Sequence, residues 1–158
     1  MIISAAVIIV LISIDQITKI FAASHNVNMA VIPDLLYFRY AENKGAAFSF
    51  LDNQAWAPYF FICTAFAAAA AFIFALYYFR KRSKFLNITL ALIIAGTIGN
   101  LLDRLFLGYV RDFIAPSFFA NFNIADSCLV IGCFMLIFYM LFLDNKKNER
   151  VKSNNTKK

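Results

Sequence analysis

The chain has 158 residues, 62% of them hydrophobic and only 15% charged. A soluble domain is roughly half apolar and about a quarter charged, and a fold this small has too little interior for the surplus, so a water-soluble domain is excluded and much of the surface must face lipid. The net charge of +6 would suit nucleic acid, but the basic residues cluster in Arg80-Lys81-Arg82-Ser83-Lys84 and from Lys146 to Lys158, each directly after an apolar run. That is the pattern of cytoplasmic flanks, and with no folded reading module beside it a nucleic-acid partner is not expected.

A membrane-spanning helix needs about 20 mainly apolar residues. In chain order the candidates are residues 2–23, 55–79, 85–107 and 125–143. The first is broken late by Asp15 and Lys19. It ends in small residues but has no basic leader, so it reads as a retained span rather than a cleaved signal peptide. The second carries Trp56 and Tyr59 at one end and Tyr77-Tyr78 at the other, where interfacial aromatics belong. Between the first two spans lies a Pro33-Asp34 turn signal followed by the alternating run Leu36-Tyr37-Phe38-Arg39-Tyr40, which predicts short strands on the membrane face. The stretch from Gly45 to Leu51 is apolar enough to lie in the interface.

The expected fold is an all-α integral membrane protein of four transmembrane helices with a small extracytoplasmic β-containing segment between helices 1 and 2. Residues 1–144 form the membrane domain and 145–158 a basic tail. The Lys and Arg balance places both termini and the loop between spans two and three inside, and the segments 24–54 and 108–124 outside.

Charged side chains at a helix centre cost about 2.5–3.5 kcal/mol each. Asp15, Lys19, Asp103, Arg104 and Asp126 fall within or at the ends of spans, a burden of roughly 10 kcal/mol if unpaired, comparable with a typical folding free energy of about 5–15 kcal/mol. They must be paired or line a polar cavity. With the topology above, Asp15, Lys19, Asn100, Asp103, Arg104, Asp112, Asn123 and Asp126 all converge on the outer face. Asp15 and Lys19 suit either a simple i,i+4 ion pair or a site. Gly96, Asn100 and Asp103 share a helix face, and Asn123-Ile124-Ala125-Asp126 is close to a capping box. Asp112 could equally be a surface charge beside Arg111.

Two carboxylates held close share one proton and can hydrolyse an amide without metal, Ser or Cys. The inventory suits this: Cys63, Cys128 and Cys133 lie in apolar runs without C-x-x-C spacing, and His25 is the lone histidine, so neither a metal nor another cofactor is expected. An ion-coupled transporter would need polar residues through the full membrane depth and an internal repeat. A non-enzymatic membrane partner would tolerate Asp112→Asn.

The ordered motifs Asp15-Gln16-x-x-Lys19, Asn43-x-Gly45-Ala46-Ala47-Phe48, Gly96-x-x-Gly99-Asn100-x-x-Asp103-Arg104, Val110-x-Asp112-Phe113 and Phe122-Asn123-x-Ala125-Asp126 resemble those of the bacterial lipoprotein signal peptidases, or signal peptidases II. The resemblance runs from Asp15 to Asp126. One departure is Ala95-Gly96, where the family often has a Gly-Gly pair. The resemblance implies a catalytic dyad of Asp112 and Asp126, with Asp15, Lys19, Asn43, Gly45, Asn100, Asp103, Arg104 and Asn123 building the site or contacting substrate. It also implies a diacylglyceryl-modified prolipoprotein substrate cut just before its lipidated cysteine, contact with membrane lipids, inhibition by the cyclic peptide globomycin, and residence in the bacterial cytoplasmic membrane.

Overall fold

The computed structural model describes residues 1–45, 54 and 56–144. Most of the stretch expected to lie in the interface, the Ala46-Ala47-Phe48 part of the second motif and the basic tail lie outside the described residues. The helices are α1 (Ile2–Ser24), α2 (Ala57–Phe79), α3 (Lys84–Leu107) and α4 (Ile124–Phe138), the last continuing through a π-helical turn at Tyr139–Asp144. Each, with α4 counted to Leu143, is long and apolar enough to cross a membrane.

The third helix is the hub. Some 67% of its apolar stretch is buried, against 17% for α1, 11% for α2 and 17% for α4, and all three pack on it. Its small residues Ala91, Ala95, Gly96 and Gly99 permit that approach. A β-carbon on Gly96 would strike the Ala125 carbonyl oxygen and the Leu129 side chain across the α3–α4 contact. Away from the strands, Leu76, Leu86, Leu90, Ile94 and Tyr139 form an apolar cluster joining α2, α3 and α4. The other helix faces present large apolar side chains outward, as lipid solvent requires.

At the opposite end sits an antiparallel sheet in the order β1 (Asn28–Ile32), β2 (Leu36–Asn43), β3 (Val110–Pro116). The first two strands, expected as short strands around the Pro33-Asp34 turn, pair as a hairpin, with Asp34 at φ 60°. The third was not anticipated. Helix α3 stops at Gly108, whose φ of 82° is left-handed and suits glycine, and the chain turns back at once as β3 along β2. Leu36 pairs with Pro116 and Phe38 with Ile114, but beyond a bulge Ala41 pairs with Asp112 and Asn43 with Val110. The extra residue on β2 exchanges the two sides of that strand. It thereby puts Asn43 on the same face as Asp112.

Gly96→Val is expected to wedge α3 from α4 and destabilise the protein by about 1–3 kcal/mol, measured as earlier unfolding in mixed detergent micelles. Unchanged unfolding would contradict the packing described.

Candidate active site

Lys19 has 0% exposure and three partners. Its ammonium lies 2.9 Å from Asp15 Oδ2 and 3.6 Å from Asp103 Oδ2 and donates to Asn100 Oδ1 at 2.9 Å. The i,i+4 pair foreseen from spacing exists, but the lysine does not reach out to the interface, because α3 supplies the other two partners. Asp15 Oδ1 also accepts from the backbone N–H of Ala125 at 2.8 Å. Gly99 leaves the space through which Asp15 reaches α4, since a β-carbon there would lie 2.8 Å from Asp15 Oδ2.

Helix α4 begins with a capping box. The Asn123 side chain accepts from the N–H of Asp126 at 2.9 Å, and Asp126 Oδ2 accepts from the N–H of Asn123 at 3.2 Å. The Asn123 amide also donates to Asp112 Oδ1 at 2.7 Å. One residue therefore touches both aspartates. Its position follows from Phe122, which pairs with Ile114 and folds the chain back beside β3. The second oxygen of Asp126 accepts from Asn100 Nδ2 at 2.7 Å, and the second oxygen of Asp112 from Asn43 Nδ2 at 3.0 Å. Asn43 Oδ1 in turn accepts from the N–H of Gly45 at 3.1 Å. The guanidinium of Arg104 lies over the Phe61 ring, 5.2 Å from its centroid, and donates to the Gly45 carbonyl at 3.3 Å.

The structure thus gathers every residue singled out in the sequence into one continuous polar network at the strand-bearing end of the helices. Asp112 is 2% exposed. Burial, and after it the charge of Asp126, pushes its carboxyl up to about 6, against the opposing pull of the Asn43 and Asn123 amides.

Two members were missed as participants. Arg111, which the sequence offered only as a neighbour of Asp112, turns inward and grips Asp103 through Nη2 at 2.7 Å, Nε at 3.2 Å and its backbone N–H at 2.9 Å. It also donates to Gln16 Oε1 at 2.9 Å, while Gln16 Nε2 donates to Asp103 Oδ1 at 3.2 Å and to the Gly99 carbonyl at 3.0 Å. The polarity of Gln16 within an apolar span was the available signal. For Arg111 there was none, since its partner lies on another element.

A cavity of about 690 Å³ opens beside this network. Its polar lining includes Asn43, Asn100, Arg104 and Asp126; Val130 and Ile131 continue it along α4 as an apolar wall, and residues 119–122 close another side. Asp112 lies one hydrogen bond behind Asn43.

Fold and site together define a polytopic membrane protein with a buried carboxylate–amide cluster beside a largely apolar cavity. A family model for signal peptidase (SPase) II matches residues 7–142. A lipoprotein signal peptidase of Clostridioides difficile is 39% identical over 147 residues, which cover 89% of this chain and 95% of that protein. Another, from Pseudomonas aeruginosa, is 39% identical over 145 residues, covering 86% and 85%. The fold is similar to a bacterial membrane enzyme solved by the in meso method at 2.3 Å resolution, with a TM-score of 0.77, 31% identity and 90% of each chain covered. The chain belongs to the signal peptidase II family.

Removing one partner of a buried ion pair typically costs about 3–5 kcal/mol. Arg111→Met, which among the described residues leaves Lys19 as the one cation paired with Asp103, is expected to destabilise the protein by about that much and to loosen β3 from the helices, measured by unfolding in mixed micelles. A loss below about 1 kcal/mol, the usual worth of an exposed pair, would mean that Arg111 does not hold the strand.

Proposed function

We propose that this protein is an aspartic-type endopeptidase that removes the signal peptide from diacylglyceryl-modified prolipoproteins, cutting just before the lipidated cysteine with Asp112 and Asp126 as its catalytic pair. The observation that carries this reading is the bridging of both carboxylates by the buried Asn123, with Asp126 on the wall of the cavity. The lipoprotein signal peptidases that the chain is similar to support the substrate class.

The charge inventory supports a single shared proton. Among the described residues of the cluster, Asp15, Asp103, Asp112 and Asp126 stand against Lys19, Arg104 and Arg111. One proton on an aspartate leaves the buried cluster neutral, and a neutral cluster avoids the cost of an unpaired charge in low dielectric. Lys19 and Arg111 are taken up by Asp15 and Asp103, so the proton belongs to the Asp112–Asp126 pair.

The ionised carboxylate accepts a proton from water as the water oxygen bonds to the scissile carbonyl carbon. The protonated carboxyl gives its proton to the carbonyl oxygen, forming a tetrahedral diol. The first carboxyl then passes its new proton to the amide nitrogen as the C–N bond breaks, and the second recovers a proton from a diol hydroxyl. Both aspartates return to their starting states. Asn123, Asn43 and Asn100 hold the carboxylates in place; Asp15, Lys19 and Asp103 anchor the helices that carry them. Arg104 and Gly45 shape the entrance.

In this reading the diacylglyceryl chains lie along the apolar wall of α4 and among membrane lipids, while the peptide enters from the strand-bearing side. The protein is a multi-pass component of the bacterial cytoplasmic membrane with both termini in the cytoplasm and the site at the outer face. A cyclic peptide such as globomycin would compete for the same cavity.

Asp112→Asn and Asp126→Asn are each expected to lower kcat by about 10²–10⁴-fold in purified protein given a diacylglyceryl-modified precursor, with helical content retained. Cleavage near the native rate by either variant would sink the dyad. The same assay with unmodified precursor is expected to show a large loss of kcat/KM; equal cleavage of both forms would remove the lipid from the specificity.

A further inference from the structure

The geometry points to a fixed division of labour in this pair: Asp126 is the carboxylate that takes the proton from water, and Asp112 is the carboxyl that holds one. Lys19, acting through the Asn100 amide, and the N-terminus of α4 set the division. The inference rests on the dyad reading above and assigns its two roles.

Asp126 has an anion-favouring donor on each oxygen. Lys19 donates to Asn100 Oδ1 at 2.9 Å and Asn100 Nδ2 donates to Asp126 Oδ1 at 2.7 Å. A full cation on the amide oxygen polarises the amide and strengthens its N–H donor. On the other side Asp126 Oδ2 accepts the N–H of the N-cap residue, and the residue itself sits in the first turn of α4, where the helix dipole favours negative charge.

Asp112 has neither advantage. It lies on a strand, whose dipole is small. Its donors are the side-chain amides of Asn43 and Asn123, at 3.0 and 2.7 Å, whose own oxygens accept, among the described residues, the backbone N–H groups of Gly45 and Asp126. Among the described residues no cation donates to the oxygen of either amide. Among the described residues the charged groups facing the pair are Lys19 from α1 and Arg104 from α3, with each aspartate facing the other; β2 brings the neutral Asn43. Arg104 faces both carboxylates, Asp126 more strongly than Asp112. The hydrogen-bonded path from Lys19 ends on Asp126.

In the reaction, Asp126 therefore receives the water proton and later gives it to the amide nitrogen. Asp112 protonates the carbonyl oxygen and regains a proton from the diol. Asn100 and Lys19 are positioning residues, acting on Asp126 and not on substrate.

The assignment predicts which limb of the pH profile each amide controls. The acid limb of kcat/KM follows ionisation of Asp126 and the alkaline limb follows loss of the proton from Asp112. Cleavage of a diacylglyceryl-modified precursor would be followed from acid to alkaline pH for the wild type, Asn100→Leu, Asn100→Gln and Asn43→Leu. Asn100→Leu keeps the Lys19 ion pairs but cuts the path to Asp126. Its acid limb is expected to move up by about one pH unit with little change in the alkaline limb, and Asn100→Gln to move it part of the way back. Asn43→Leu removes a donor from the Asp112 anion and is expected to move the alkaline limb upward instead; this variant on the sheet decides the matter alone if Asn100→Leu fails to fold. The crossed pattern, or limbs that stay in place, would overturn the assignment. Native-rate cleavage by Asp112→Asn or Asp126→Asn is a separate result that would overturn the dyad itself.

Discussion

A lysine ammonium shut away from water is the constraint that organises this molecule. Leaving such a charge unpaired in low dielectric costs several kcal/mol at least, so Lys19 holds the fold to geometries in which Asp15, Asp103 and Asn100 all surround it. Turning α1 by one residue, about 100°, would carry the ammonium away from Asp103 and Asn100 on α3 and Asp15 away from the Ala125 N–H. Hydrocarbon against hydrocarbon gives apolar helices little preference for one rotation over another. The ion cluster supplies the preference, and because Asp15 also takes the Ala125 N–H, it fixes the start of α4 as well.

From that anchor the arrangement passes outward through residues with two tasks. Asn123 caps α4 and holds Asp112, so the helix cannot start properly without the strand carboxylate being placed. Arg111 satisfies Asp103 while its chain neighbour Asp112 faces Asn123 and Asn43. The bulge in β2 makes this compatible with the sheet, for in a regular ladder Asn43 would face away from Asp112. Position in the site and stability of the fold are thus carried by the same hydrogen bonds, and Lys19 and Asp103 cannot be adjusted for catalysis without loosening the helices.

How much of this was legible in the sequence divides along physical lines. The four spans were, because length and apolarity decide them locally. The polar members of the cluster were, because a charge in a span such as Asp15 or Asp103 demands an explanation on energetic grounds. The capping box at Asn123 was visible in its spacing. Strand β3 was not: Val110–Pro116 contains Arg111, Asp112 and Pro116 and shows no alternation, and it becomes a strand only because β2, far away in the chain, offers an open edge. Arg111 was passed over for the same reason, since its partners Asp103 and Gln16 come from α3 and α1. Lys19 was foreseen as half of a local pair, but its burial depends on Asn100 and Asp103, which no local spacing reveals.

The placement of the site at the end of the helices, rather than midway, follows from what the proposed reaction needs. Hydrolysis consumes water, and a carboxylate pair in the middle of the hydrocarbon would have none. Full exposure would be as unhelpful, because water would solvate both aspartates separately and remove the reason for them to share a proton. Asp112 at 2% exposure and Asp126 on the cavity wall occupy the intermediate position. Val130 lies four residues beyond Asp126 on the same helix, about 6 Å along its axis, and there the cavity wall is already apolar. A substrate with acyl chains next to its scissile bond meets both environments within that distance. In the proposed reading the lipid would seat the peptide carbonyl at the carboxylates by filling the apolar wall, and a precursor without it would leave that wall uncovered and the carbonyl unplaced.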